Sequence, residues 1–208
     1  MAEEAVTIEV DGLRIEGLYD PAPGDRAVVV THPHPLYGGS MVNNVVEDVV
    51  RAYKAAGYAT LRFNFRGVGR SGGTYGEGIG EQDDVSAALA YLASMGKPSI
   101  DLAGYSFGAW VNAMGVDRFE AAGRLIMVSP PVGFLDFSFL QYCEKIQLVI
   151  AGSADDIGPP DKIRQMLPKW NPQARLEVIS GADHFYGGKG DDIARIIQSF
   201  LNANKEFA

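Results

Sequence analysis

The sequence predicts an α/β fold: a mainly parallel, twisted sheet with helices on both faces and an antiparallel hairpin at its N-terminal edge. Three observations predict it. Short β-rich runs recur that are apolar without alternation, as in Val28-Val29-Val30, and strands covered on both faces read this way. Between them lie stretches with apolar residues at i, i+3, i+4 and i+7, the stripe of an amphipathic helix. Strand and helix alternate through most of the chain, the order that builds a parallel sheet through right-handed crossovers.

The elements follow in order. Val6 to Val10 and Leu13 to Tyr19 alternate, and Asp11-Gly12 between them has the composition of a two-residue hairpin turn. Ala27 to Thr31, Tyr58 to Phe65, Ile100 to Tyr105, Arg124 to Val128, Ile146 to Ala151 and Arg175 to Ile179 read as the parallel strands. Val42, Val45, Val46, Val49, Val50 and Tyr53 form one helical stripe. Val85, Ala88, Leu89 and Leu92 form a second, and Ile193, Ile196, Ile197, Phe200 and Leu201 a third. No repeat and no Pro- or Ser-rich linker divides the chain, so 1–208 reads as a single domain. Ligands of such sheets bind beyond the carboxyl ends of the strands, so chemistry is expected just after each run.

Composition narrows the classes of function. With 47% apolar and 21% charged residues the chain is ordinarily globular rather than disordered. A net charge of −8 argues against nucleic acids and anionic membranes, which require clustered Lys and Arg. The one cysteine, Cys143, excludes an intrachain disulfide and a Cys-based zinc site; it reads as a buried small residue. The start has no basic patch leading into an apolar run, and no run of about 18 apolar residues occurs. A cytoplasmic protein without a membrane span is expected.

One motif carries chemistry. Gly104-Tyr105-Ser106-Phe107-Gly108 is G-x-S-x-G placed between a strand and a helix, the context in which it forms a nucleophile elbow. The sharp turn exposes the serine hydroxyl above the sheet, and side chains at the flanking glycine positions would collide. It also sets the Phe107 N–H at a helix start, where it is placed to bond a developing oxyanion. The bland alternative is a helix-capping serine beside packing glycines. Serine needs a base. Of the three histidines, His32, His34 and His184, only His184 follows Ser106, and elbows of this kind order their partners Ser, Asp or Glu, His. The acid is sought after the Ile146 to Ala151 run. Asp155 is nearest the strand end, Asp156 is the alternative or a helix cap, and Asp183 is awkwardly adjacent to His184. Its task is to fix the imidazole tautomer without taking the proton.

With these residues in view the chain resembles the α/β-hydrolase superfamily, most closely small bacterial serine hydrolases similar to dienelactone hydrolases and cinnamoyl esterases. The carrying segments are His32-Pro33-His34-Pro35-Leu36-Tyr37-Gly38-Gly39-Ser40, Arg62 through Ser71, the elbow, Asp155 and Asp183-His184-Phe185. The resemblance implies an α/β-hydrolase fold and a second oxyanion donor in the loop after Thr31. Many relatives have His-Gly-x there; here Pro33 replaces the glycine, so His34 is assigned and Leu36 held in reserve. Pro33 and Pro35 have no N–H to give. The side chains of His32 and His34 read as loop scaffolding. Dienelactone hydrolases use cysteine where this chain has Ser106.

The implied function is hydrolysis of a small-molecule ester or related acyl substrate through an acyl-enzyme. No cofactor, metal, nucleic acid or membrane is expected. The alternative is a hydrolase-like ligand-binding protein with little turnover. Thioesterase, amidase and peptidase chemistry use the same residues. The interval Ser129 to Lys145 is short, so no large cap domain is expected. Gly67-Val68-Gly69-Arg70-Ser71-Gly72 matches a dinucleotide fingerprint, but further glycines keep a helix from opening before about Gly80. It reads as a Gly-rich loop that Arg66 helps to hold. Asp83 and Asp84 read as structural, no metal-ligand spacing joins the histidines, and Tyr37, Phe107, Phe134, Phe137 and Tyr186 are the aromatics expected to line a pocket.

Overall fold

The computed structural model describes residues 3–203. β1 (Glu4–Val10) and β2 (Leu13–Asp20) pair antiparallel. Asp11 and Gly12 turn between them with φ of 48° and 81°, the left-handed pair that matches strand twist in a two-residue hairpin. β3 (Arg26–Thr31), β4 (Ala59–Phe63), β5 (Ser99–Tyr105), β6 (Ala122–Val128), β7 (Ile146–Gly152) and β8 (Arg175–Ile179) run parallel. β2 pairs antiparallel with β4 and so joins the hairpin to the sheet. The eight strands lie in the order β1-β2-β4-β3-β5-β6-β7-β8.

Five α-helices among the described residues cover the two faces: α1 (Asn44–Ala55), α2 (Ile79–Ser94), α3 (Phe107–Met114), α4 (Pro160–Trp170) and α5 (Gly190–Ala203). Successive strand residues point to opposite faces, so each strand feeds two cores. Val28 and Val30 pack with Val46 and Val49 of α1 and Ile193 and Ile197 of α5. Ala27 and Val29 face the other way, with Leu89 of α2, Val111 of α3 and Leu167 of α4. Val28 and Val29 are both fully buried, and each such side chain contributes about 1.5–3 kcal/mol by leaving water.

Two expectations are corrected. Val42 is exposed and precedes α1. The apolar period continues one step upstream, but Asn43 adopts an extended backbone and its side-chain oxygen takes the Val45 N–H at 2.9 Å, which starts the helix there. Cys143 is half-buried rather than buried, at the margin of the α4 core. Ser129 to Lys145 contains turns and bends but no helix or strand, so no lid covers the sheet there. Among the described residues no helix is long and apolar enough to cross a membrane.

β3 is where the winding reverses, with β4 on one side and β5 on the other. The loops leaving β3 and β5 therefore diverge over a crevice at the carboxyl edge. His34 follows β3 and Ser106 follows β5.

Candidate active site

Ser106 sits between β5 and α3 with φ 54° and ψ −119°. A non-glycine residue in that region is strained and persists only where its surroundings hold it. Its own backbone is held on both sides: its N–H donates to Val128 O at 2.9 Å, and its carbonyl accepts from Trp110 N at 3.2 Å. The glycines are needed for close approach. A Cβ on Gly104 would lie 2.6 Å from Ala109 N, and one on Gly108 would lie 2.6 Å from Thr31 Oγ1. The serine hydroxyl caps nothing on α3, so the helix-capping alternative is not what the structure contains. It lies instead 2.9 Å from His184 Nε2.

His184 comes from the loop after β8 and is buried. Its Nδ1 lies 3.0 Å from both Asp155 carboxylate oxygens, so with an Nδ1–H tautomer Nε2 is free to take a proton. The loop is pinned from beneath: Tyr105 O–H donates to His184 O at 2.7 Å. Asp183 is exposed and turned away, its Oδ1 accepting from Phe185 N and Tyr186 N.

Asp155 follows β7 and is buried. Its Oδ1 also accepts from Ile157 N at 2.9 Å and Gly158 N at 2.7 Å, and its Oδ2 accepts from Ser129 Oγ at 2.6 Å. Burial pushes the carboxyl up, but the bonds from His184, Gly158 and Ser129 outweigh it and hold the group below the usual carboxylate range. Asp156, next to it, is exposed and caps no helix; α4 opens later, behind Pro159. Behind Ser129 stands Tyr186, its hydroxyl 2.7 Å from Ser129 Oγ and pushed upward in pKa by burial, so it stays protonated. Sequence alone does not mark Ser129 and Tyr186 as partners of the acid. For Ser129 a signal existed, its place at the carboxyl end of β6; for Tyr186 there was none.

The two residues whose N–H groups are assigned to an oxyanion share a cleft with this serine. Phe107 opens α3, where first-turn amides have no partner in the helix, and His34 and Phe107 both line the cleft that holds Ser106. Among the described residues neither N–H is engaged in a hydrogen bond. The N–H of Leu36, the reserve donor, is engaged by His34 Nδ1 at 3.2 Å. The His34 ring is lowered in pKa, mainly by burial, and packs against Tyr37, Tyr75 and Phe107. His32 is wholly enclosed, donating through Nδ1 to Pro33 O at 2.6 Å and accepting at Nε2 from Phe65 N at 3.0 Å. Burial lowers its pKa to about 4. Both imidazoles thus serve their loops.

The serine lies on the floor of an open cleft of about 670 Å³ walled by Tyr37, Phe107, Pro131, Phe134, Leu135, Ile157 and Phe185. Of the aromatics expected there, Phe137 and Tyr186 are absent. Phe137 is buried against Trp170, and Tyr186 lies under the acid. The Gly-rich segment opens no helix until Ile79. Arg66 holds it through Asp84, which accepts from Nη2 at 2.8 Å and from the Arg66 N–H at 2.9 Å; Asp83 pairs with Arg118. Among the described residues no three His, Cys, Asp or Glu side chains converge as a metal site.

No family profile matches the chain. It is 36% identical over 201 residues to an uncharacterized protein of Rickettsia prowazekii, covering 90% of this chain and 84% of that one. Among solved structures it is similar to an alpha-beta serine hydrolase homologue from Coxiella burnetii, with 32% identity, a TM-score of 0.89 and 97% and 98% of the two chains covered. A serine hydrolase without lid from Xanthomonas campestris matches with 32% identity, a TM-score of 0.88 and 98% and 95% covered. Identity at this level, along nearly the full length of each hydrolase and on the same sheet, means that the chain belongs to the α/β-hydrolase superfamily.

Proposed function

We propose that the protein is a serine hydrolase that cleaves small esters through an acyl-enzyme on Ser106. The observation that carries this reading is the 2.9 Å contact between Ser106 Oγ and His184 Nε2, on a strained elbow at the floor of an open cleft. In the first step Ser106 Oγ bonds to the ester carbonyl carbon while its proton passes to His184 Nε2. Asp155 holds the imidazole through Nδ1 and stabilises the imidazolium. The carbonyl oxygen, now anionic, is received by the N–H groups of Phe107 and His34; losing one such donor costs about 10²–10³ in turnover. The tetrahedral centre collapses, the C–O bond to the alcohol breaks, and His184 returns its proton to the leaving alcohol. Water repeats the sequence on the acyl-enzyme, releasing the carboxylic acid and free Ser106.

A fluorophosphonate probe tests it. Wild-type protein is expected to become covalently labelled on Ser106, Ser106→Ala to take no label, and His184→Ala to label at a small fraction of the wild-type rate. A folded wild type that takes no label overturns the proposal.

A further inference from the structure

Resting on that reading, we infer that the acyl groups this site accepts are apolar and uncharged, and that an ester bearing a carboxylate on its acyl chain is rejected. The cleft walls are apolar. Phe107, Leu135 and Ile157 line it within, and Tyr37, Phe134 and Phe185, all lining residues, stand 87%, 74% and 66% exposed at its mouth. Large apolar side chains left in water at a cleft are covered favourably by an apolar ligand.

A carboxylate would find no counterion there. No Lys or Arg is among the lining residues. Several polar groups of the lining are committed, and the side-chain donors left over, the Tyr37 hydroxyl and the Asn43 amide, are neutral. His34 Nδ1 accepts from Leu36 N, the Asn43 side-chain oxygen from Val45 N, and Tyr105 O–H donates to the His184 carbonyl. Both ring nitrogens of His184 are engaged, by Asp155 and Ser106. Arg66 and Arg118 are paired with Asp84 and Asp83, and Lys162 and Lys189, which follow Ile157 and Phe185 in sequence, are not among the lining residues. The formal charges that reach the cleft walls are instead negative: Glu81 acts on His34, and Asp155 and Asp183 act on Tyr105. Asp156 and Asp183 stand exposed beside the lining residues Ile157 and Phe185. The chain as a whole carries −8. A carboxylate entering here gives up its water, gains no cation and meets like charge, which is the costly case of a buried unpaired ion.

The test compares p-nitrophenyl hexanoate with p-nitrophenyl hydrogen adipate, whose acyl chains match in length and differ in a terminal methyl against a carboxylate. The expected kcat/KM for the adipate is lower by about 100-fold or more. Phe134→Arg, which places a cation at the mouth, is expected to narrow that gap about tenfold at low ionic strength and to lose the gain in high salt. Rates within about threefold of each other, in turnover that Ser106→Ala abolishes, overturn the inference and leave the hydrolase reading standing. A gap that Phe134→Arg does not narrow also overturns it, because charge is then not the cause. Absence of turnover on both esters together with absence of fluorophosphonate label, or turnover that survives Ser106→Ala, overturns the hydrolase reading and the inference with it.

Discussion

Replacing Ser129 by alanine tests how the proposed acid is held. Ser129 is fully buried and sits in a relay: Tyr186 O–H reaches Ser129 Oγ at 2.7 Å, and Ser129 O–H reaches Asp155 Oδ2 at 2.6 Å. The substitution removes a hydrogen bond to a charged group, worth about 1.5–3 kcal/mol, and leaves the buried Tyr186 hydroxyl unpaired at a further cost of about 1–3 kcal/mol. We expect a loss near 3 kcal/mol, partly relieved by repacking, and a melting temperature lower by about 10 °C. Asp155 keeps the Ile157 and Gly158 amides and His184, so it stays ionised at neutral pH and kcat/KM falls less than about tenfold; Asp155→Asn, which turns the imidazole to the wrong tautomer, costs about 10³–10⁴. Urea unfolding of Ser129→Ala, Tyr186→Phe and the double variant measures the relay directly. Removing the stranded Tyr186 hydroxyl recovers part of the loss, so the double variant is more stable than the sum of the singles by about 1–2 kcal/mol. Additivity within about 0.5 kcal/mol would refute a relay through Ser129.

Three other outcomes follow from the same geometry. Gly108→Ala puts a Cβ 2.6 Å from Thr31 Oγ1 and 2.7 Å from Thr31 O, so it is expected to cost about 2–3 kcal/mol in urea unfolding, and a neutral result contradicts the close approach of the elbow to β3. Ser106→Gly removes the strain of a side chain at φ 54°; set against the added chain entropy of glycine, a gain of about 1 kcal/mol is expected together with complete loss of fluorophosphonate labelling, and a destabilised variant refutes the strain. His32 is held neutral by burial with its pKa at about 4, below the ordinary 6.5. The unfolded chain therefore takes up a proton that the fold refuses, and about 3 kcal/mol of stability present above pH 6.5 is lost as pH falls toward 4. His32→Gln is expected to flatten that window, as read from urea midpoints across pH; an unchanged slope shows that His32 is not its source.

Much of this architecture is legible in the residues themselves, for reasons that are physical. Val28-Val29-Val30 announces a strand buried on both faces because each of its residues has a core to enter. Ser106 and His184 follow from chemistry and scarcity: one elbow needs glycines on both sides, and a single histidine lies downstream of it. What escapes is whatever depends on how loops fold back. Asp155 and Asp156 are chemically identical neighbours; only the turn that brings the Ile157 and Gly158 amides onto Asp155 separates them. Phe137 and Tyr186 are aromatic residues in loops, where no period tells inward from outward, and both turned into the interior instead of the cleft. Val42 continues an apolar period upstream of Asn43, where the helix begins. Pro33 stands where the family resemblance leads one to expect glycine, and only the commitment of the Leu36 amide to His34 distinguishes the two backbone donors considered there.

The plain connection between β6 and β7, Ser129 to Lys145, also bears on kinetics. With no helix or strand in that connection to swing aside, arrival of a molecule at Ser106 is expected to be limited by diffusion rather than by the opening of a lid there. On the proposed chemistry the cleft admits water to the acylated serine on its floor, so the fate of the acyl group is set by abundance: water outcompetes any dilute alcohol. The open architecture thus favours hydrolysis over synthesis, and transfer to a second alcohol should emerge only when that alcohol replaces much of the water.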